Sequence, residues 1–240
     1  MGETSGGVDS ELRLEILGGA RLSGAGVSVD RLERKTAALL AYVALEKDAT
    51  RARVASLLWP DAAPATARNN LAQVIARVKK LAGRAVVRGK DALSLDRVSV
   101  DVAELELNVQ RGQVTARGRL AHEQLLASYD LTDCAELSEW LDWRRDQLRR
   151  TLLRALELES RRLEAERDFA GAIERVEEAL GLDRWAEVTY RRLMRLHADR
   201  GDRAEALRVW RACCTMHSVV EGLAPSRETR SLAVQLGLLS

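Results

Sequence analysis

Apolar positions along this chain follow first a period of two and then a period near 3.6. From Leu12 to Asp30 the stretch LRLEILGGARLSGAGVSVD alternates apolar and polar residues around glycine pairs, which predicts two or three short antiparallel strands joined by tight turns. After it, RKTAALLAYVALEKD places Ala37, Leu40, Ala41, Ala44 and Leu45 on one helical face, and ATRARVASLLWPD predicts a shorter helix. Thr50 is the N-cap of that second helix, Val54, Leu57 and Leu58 are its apolar positions, and Pro60 stops it. A third helix is expected in PATARNNLAQVIARVKKLAG, residues 64 to 83. At about 100° per residue its Leu71, Val74, Ile75, Val78 and Leu81 fall within an arc of about 120°. AVVRGKDALSLD then alternates about a Gly-Lys-Asp turn, as a hairpin does. Small sheet, three helices and hairpin, in that order, are the plan of a winged helix-turn-helix over residues 11–98; the first ten residues read as disordered.

Residues 99–240 carry a different regularity. DFAGAI at 168 aligns with DRAEAL at 202, an offset of 34 residues, which is the tetratricopeptide length. In that register Ala172 falls on Ala206, Ile173 on Leu207, Val176 on Trp210, Ala179 on Cys213 and Leu156 on Tyr190. The match is degenerate: Arg167 stands where the second copy has Gly201, and no proline ends either unit. Two copies are too few to stand alone, so helices from about 102 to 150 and a tail at 228 to 236, with Ser226 as its N-cap, are expected to cap the stack. The fold class is therefore mainly α: an N-terminal winged helix with a small sheet and wing, then an all-α, tetratricopeptide-like repeat domain with a concave surface. Aromatic residues make up only 4% of the chain, which favours helices packed through aliphatic ridges.

Charge says what the other side of the third helix is for. The total of +2 hides a segregation: residues 51 to 90 hold nine bases against the single acid Asp61, a local +8, while the remainder carries −6. Opposite the apolar stripe lie Thr66, Asn69, Gln73, Ala76, Arg77 and Lys80, and no acid occurs from Ala62 to Lys90. Amides pair with adenine edges, Arg and Lys with guanine or phosphate, and small Ala76 lets a helix sink into a major groove about 12 Å wide. An ordinary solvated face would show Glu and Lys pairs at i,i+4. Thr66, Asn69, Gln73, Arg77 and Lys80 are thus expected to read bases. Arg51, Arg53, Arg68, Lys79, Arg84, Arg88 and Lys90 are expected on phosphates, Arg88 and Lys90 from the hairpin tip.

Other chemistry finds little support. The histidines His122, His197 and His217 are scattered, and there is no Gly-x-Ser-x-Gly, phosphate-cradling glycine loop or His-Glu-x-x-His. Cys213 and His217 sit at i,i+4 but lack the further ligands a zinc site needs, so Cys213 and Cys214 read as buried helix cysteines. The five tryptophans (Trp59, Trp140, Trp143, Trp185, Trp210) lie beside apolar helical positions and read mostly as core. Neither an enzyme, nor a metal, nor a cofactor is expected. Three cysteines argue against a disulfide scaffold, and without an apolar run of about 20 residues no membrane span is expected. A soluble cytoplasmic protein associated with the nucleoid is the reading.

The stretches ERKTAALLAYVAL, RVASLLWPD and ATARNNLAQVIARVKKL, with the hairpin after them, resemble the DNA-binding half of the antibiotic regulatory protein (SARP) type of bacterial transcriptional activators, whose N-terminal domain is itself similar to that of OmpR-type response regulators. LLASYDLTDCAELSEWLDWRRDQLRR resembles the opening of the bacterial transcriptional activation domain that follows in such proteins, so the likeness covers about residues 12 to 236. It implies a sequence-specific regulator of double-stranded DNA, usually an activator, that contacts RNA polymerase or a sigma factor and binds direct repeats as side-by-side copies. With no receiver domain ahead of the winged helix, aspartyl phosphorylation is not the expected switch; an ATPase or phosphothreonine-binding module, found in longer relatives, is not seen either. The alternative is an interaction scaffold whose winged helix binds protein or whose repeats sense a ligand.

Overall fold

A computed structural model describes residues 11–111, 124–221 and 224–239; the predicted disorder of the first ten residues, and His122, lie outside them. Three strands come first: β1 (Leu12–Glu15), β2 (Arg21–Gly24) and β3 (Val27–Val29), antiparallel as expected. Helices α1 (Arg34–Leu45), α2 (Arg51–Leu58) and α3 (Pro64–Leu81) follow, then the hairpin of β4 (Val87–Arg88) and β5 (Ser94–Leu95). A strand absent from the sequence reading, β6 (Val98–Val100), completes the first sheet by pairing parallel with β1, which gives the order β3-β2-β1-β6.

Directly after β6, helix α4 (Asp101–Gln110) opens on a carboxylate that ties the chain back to its start. Asp101, 5% exposed, accepts N–H bonds from Ile16 (3.0 Å), Leu17 (3.0 Å) and Val102 (2.8 Å). Burial raises its pKa while those three donors pull it down.

Packing divides the described residues into two units, 11–110 with 124–148 and 149–221 with 224–239. The contact boundary does not fall at 98/99: β6, α4 and residues 124–148 group with the winged helix. Helix α5 (Ala135–Ala165) contributes residues 135–148 to the first unit and 149–165 to the second. Segment 124–148 also explains a departure at α1. Instead of one apolar face, every residue from Thr36 to Val43 is buried, while Ala44 and Leu45, expected in the core, are only half-buried. Trp140 packs on Tyr42 with ring centroids 4.8 Å apart and donates its indole N–H to Glu46. Lys35, only 16% exposed, bonds the Leu58 carbonyl at 2.7 Å and pairs with Asp133. Arg34 clasps Asp133 as well, and its hydrogen bonds hold that carboxyl down at about 2.

The second unit holds α6 (Phe169–Leu182), α7 (Glu187–Asp199), α8 (Arg203–Glu221) and α9 (Arg227–Gln235). Its 34-residue offset persists in the backbone. Asp168 N–H bonds the Leu163 carbonyl as Asp202 N–H bonds that of His197, and Asp168 and Asp202 cap α6 and α8 from equivalent positions. Ala172 and Ala206 are both fully buried. The mismatch at Arg167 has a structural meaning: its φ is +64°, as Gly201 has +86°, so a residue with a Cβ sits where the turn wants glycine. Arg167→Gly is expected to stabilise the second unit by up to about 1 kcal/mol, less the cation-π contact of Arg167 with Phe169. A melting temperature lower than that of the unaltered chain would refute this.

Helix α9 is held from outside itself. Ser226 caps it through Thr229 N–H, and the Glu187 carboxylate of α7 accepts from the Ser226 and Thr229 hydroxyls and the Ser226 N–H. His217 Nε2 stands 3.0 Å from the same carboxylate. Burial works against the charge on Glu187, but the bonds from Ser226 and Thr229 prevail and its pKa lies below the ordinary value. A carboxylate with a lowered folded pKa contributes stability above its unfolded pKa and loses it as pH falls through the folded one. Acid below about pH 4.5 should therefore loosen α9. In Glu187→Gln that part of the acid sensitivity should vanish, measured as melting temperature against pH.

Candidate nucleic-acid interface

Helix α3 begins with Pro64 at its first turn, where a missing N–H costs nothing, and carries no acid in that turn. Its buried row is Ala67, Leu71, Val74 and Val78, with Ala82 just past the end; α1 and α2 pack on it. Two residues placed in this core by periodicity are not in it: Leu81 is 38% exposed and Ile75 is half-buried. Each lies at an edge of the stripe, about 60° from its centre on opposite sides.

The polar side is open. Thr66, Asn69, Gln73, Ala76, Arg77 and Lys80 are all exposed, and so are Arg68 and Lys79. The tip of the β4–β5 wing carries Arg88, Gly89 and Lys90 in the open too. Gly89 has φ +110°, and a Cβ there would overlap the Ala92 carbonyl, so the tip turns only with glycine. The wing is fastened to the start of α2: Leu93 N–H bonds the Ala49 carbonyl at 2.7 Å and Arg51 N–H that of Asp91 at 2.8 Å. Thr50 caps α2 as expected, accepting from Arg53 N–H.

The cations of this surface fall into three states. The side chains of Arg68, Lys79, Lys80 and Lys90 make no hydrogen bond or ion pair among the described residues. Arg51 and Arg84, expected on phosphates, spend their guanidinium groups on the wing itself: Arg51 bonds the Gly89 carbonyl at 3.0 Å, and Arg84 those of Asp96 and Arg97 at 3.0 and 2.7 Å. Arg53, Arg77 and Arg88 pair with Glu136, Glu33 and Asp96. Two of those carboxylates were not legible as partners, because Glu33 precedes α1 and Glu136 lies 83 residues from Arg53; Asp96 belongs to the same hairpin as Arg88.

Elsewhere the tryptophans divide. Trp210 is 7% exposed and Trp59 and Trp140 are half-buried, but Trp143 and Trp185, expected in the core, are 52% and 53% exposed. Cys213 is buried and its thiol pushed up to about 12 by desolvation, while Cys214 is half-buried. Among the described residues no three His, Cys, Asp or Glu side chains gather to hold a metal, and no helix is long and apolar enough to cross a membrane.

No protein-family model and no curated protein matches the chain. Among solved structures it is similar to EmbR of Mycobacterium tuberculosis, a SARP-family regulator determined in complex with a low-affinity phosphopeptide. The match has a TM-score of 0.63 at 17% identity and takes in 95% of this chain. The chain has the SARP-type fold. It spans 65% of the EmbR chain, less than two-thirds of that protein's length. In the SARP-type fold the winged helix and the helical repeats occur together, the combination seen here.

Proposed function

We propose that the chain is a sequence-specific, double-stranded-DNA-binding transcription regulator, with α3 as the helix that enters the major groove. The supporting observation is the face of α3: amides, a hydroxyl, a small alanine and cations stand exposed along it, without an acid among them, beside a braced and basic wing. Thr66, Asn69, Gln73, Arg77 and Lys80 would read base edges. Arg68, Lys79, Arg88 and Lys90 would sit over phosphates, with Arg51, Arg53 and Arg84 close to the same backbone. Arg51 and Arg84 would do so while holding the wing in place; Arg53, Arg77 and Arg88 would exchange a carboxylate for the duplex. The SARP-type fold favours an activator whose repeat half contacts RNA polymerase or a sigma factor, with copies side by side on direct repeats and no cofactor or catalytic step.

The test is duplex binding against salt, on fragments that the protein itself selects from genomic DNA. Arg77→Ala is expected to cost about 1 to 3 kcal/mol and blur one base position, while Lys79→Ala weakens all sequences alike and lowers the salt slope by about 1. If both leave affinity and slope untouched, this docking is wrong. Glu33→Gln is expected to tighten binding by up to about fivefold, since an exposed pair is worth up to about 1 kcal/mol and its loss releases Arg77 for the duplex.

A further inference from the structure

Where α1 and α5 begin, an amine and a thiol meet in the interior of the first unit. Lys35 Nζ lies 2.9 Å from Cys134 Sγ, a contact between residues 99 apart in the chain. A second contact holds the sulfur: its S–H donates to the Leu58 carbonyl at 3.4 Å, the same oxygen that the Lys35 ammonium meets at 2.7 Å. The remaining bond of the ammonium goes to Asp133 at 3.2 Å. Its three N–H groups thus face three different acceptors, one of them a thiol. Cys134 is 1% exposed and the Lys35 side chain largely buried, whereas the Asp133 side chain is 47% exposed. The group is closed around the sulfur and meets solvent at the carboxylate.

We propose that Lys35 and Cys134 are a site of reversible oxidative cross-linking, where hydrogen peroxide converts the thiol and the amine into a sulfenamide. The sulfur first attacks one peroxide oxygen: an S–O bond forms, the O–O bond breaks, and sulfenic acid and one water result, with two electrons passing from sulfur to the peroxide. Asp133 then accepts one proton from the Lys35 ammonium, which frees the nitrogen lone pair, and passes that proton to solvent. The nitrogen displaces the sulfenic hydroxyl: the N–S bond forms, the S–O bond breaks, and the hydroxyl leaves as a second water with another of the ammonium protons. A sulfenic acid ordinarily condenses with a neighbouring thiol, but the other two cysteines of the chain, Cys213 and Cys214, belong to the second unit. In the first unit the nucleophile touching the sulfur is the amine. Burial closes the sulfur to bulky thiols that would otherwise cap it, and leaves it to a small oxidant. A lysine that served only to satisfy the end of α2 would do so through the Leu58 carbonyl alone, and it would give no covalent product. The bridge ties the start of α5 to the start of α1 and restrains the unfolded chain by closing a loop of about 100 residues.

The product is read directly, so its test stands apart from DNA binding. The full chain is treated with hydrogen peroxide, digested without reductant and examined by mass spectrometry. The peptides that hold Lys35 and Cys134 should appear joined, about 2 Da lighter than their sum, and dithiothreitol should part them. The treated chain should melt at least about 5 °C higher than the untreated one, and dithiothreitol should reverse the gain. Lys35→Arg keeps the charge but not the nucleophilic amine; it should give no joined peptide, with Cys134 stopping at sulfenic or sulfinic acid. Cys134→Ser should lose both the joined peptide and the thermal gain. Two results on the unaltered chain overturn the proposal: Cys134 carried to sulfinic acid with Lys35 free, or Cys134 unchanged at peroxide levels that oxidise Cys214. A joined peptide that persists in Lys35→Arg overturns it as well.

Discussion

An Asp101→Ala variant is expected to lose about 3 to 5 kcal/mol of folding stability, the largest effect of any single substitution considered. Its carboxylate is the acceptor for the N–H groups of Ile16, Leu17 and Val102, and the site is almost closed to water. Each buried donor left without a partner costs about 1 to 3 kcal/mol, partly relieved if water enters the space of the lost side chain. A small domain has only about 5 to 15 kcal/mol in total, so the first unit should melt well below the second. Asp101→Asn, which keeps one acceptor oxygen but places an amide N–H₂ against the donors, should fall between the two. Urea unfolding followed by circular dichroism measures the difference; a loss under about 1 kcal/mol would mean that the clamp is not what joins α4 to the end of β1.

Ala76→Glu should abolish specific duplex binding while leaving the fold intact. Ala76 is exposed at the centre of the outward face of α3, between Gln73 and Arg77, where a glutamate adds both bulk and a negative charge against the phosphates. On a solvated helix the same change costs only a few tenths of a kcal/mol, and it creates a favourable i,i+4 pair with Lys80. The expected signature is thus a melting temperature within a degree or two of the original and an affinity at least about 100-fold weaker, equivalent to about 2.7 kcal/mol. Ala65→Glu, at the first turn of the helix, is the comparison; if both variants bind as the original does, α3 does not enter a groove.

Much of this architecture is local and therefore legible in the sequence. Thr50, Pro60 and Ser226 mark helix boundaries by their own chemistry, and the buried alanines Ala172 and Ala206 betray a repeat because close helix packing demands small residues at equivalent places. Strand β6 was missed for a different reason: Val-Ser-Val is too short to carry a periodic signal, and its partner is the first strand of the chain. The all-round burial of α1 was equally hidden, since a single-faced pattern gives no hint that Trp140 and Asp133 will arrive from far along the chain. At the candidate interface, periodicity separated the open face from the buried one for Asn69, Gln73 and Arg77, yet failed at Leu81, on the edge of the stripe. The carboxylates that meet Arg53 and Arg77 come from outside the basic segment, so a count of charges within it could not find them.

The parallel seam between β1 and β6 has a consequence for anyone dividing the protein. A fragment ending at residue 98 would strip β1 of its neighbour and leave a row of bare peptide groups flanked by fully buried Leu12 and Leu14. Such a margin recruits strands from other molecules. The shortest well-behaved N-terminal piece should instead extend to about residue 148, so that the last strand, its helix and the Trp140 buttress travel with it.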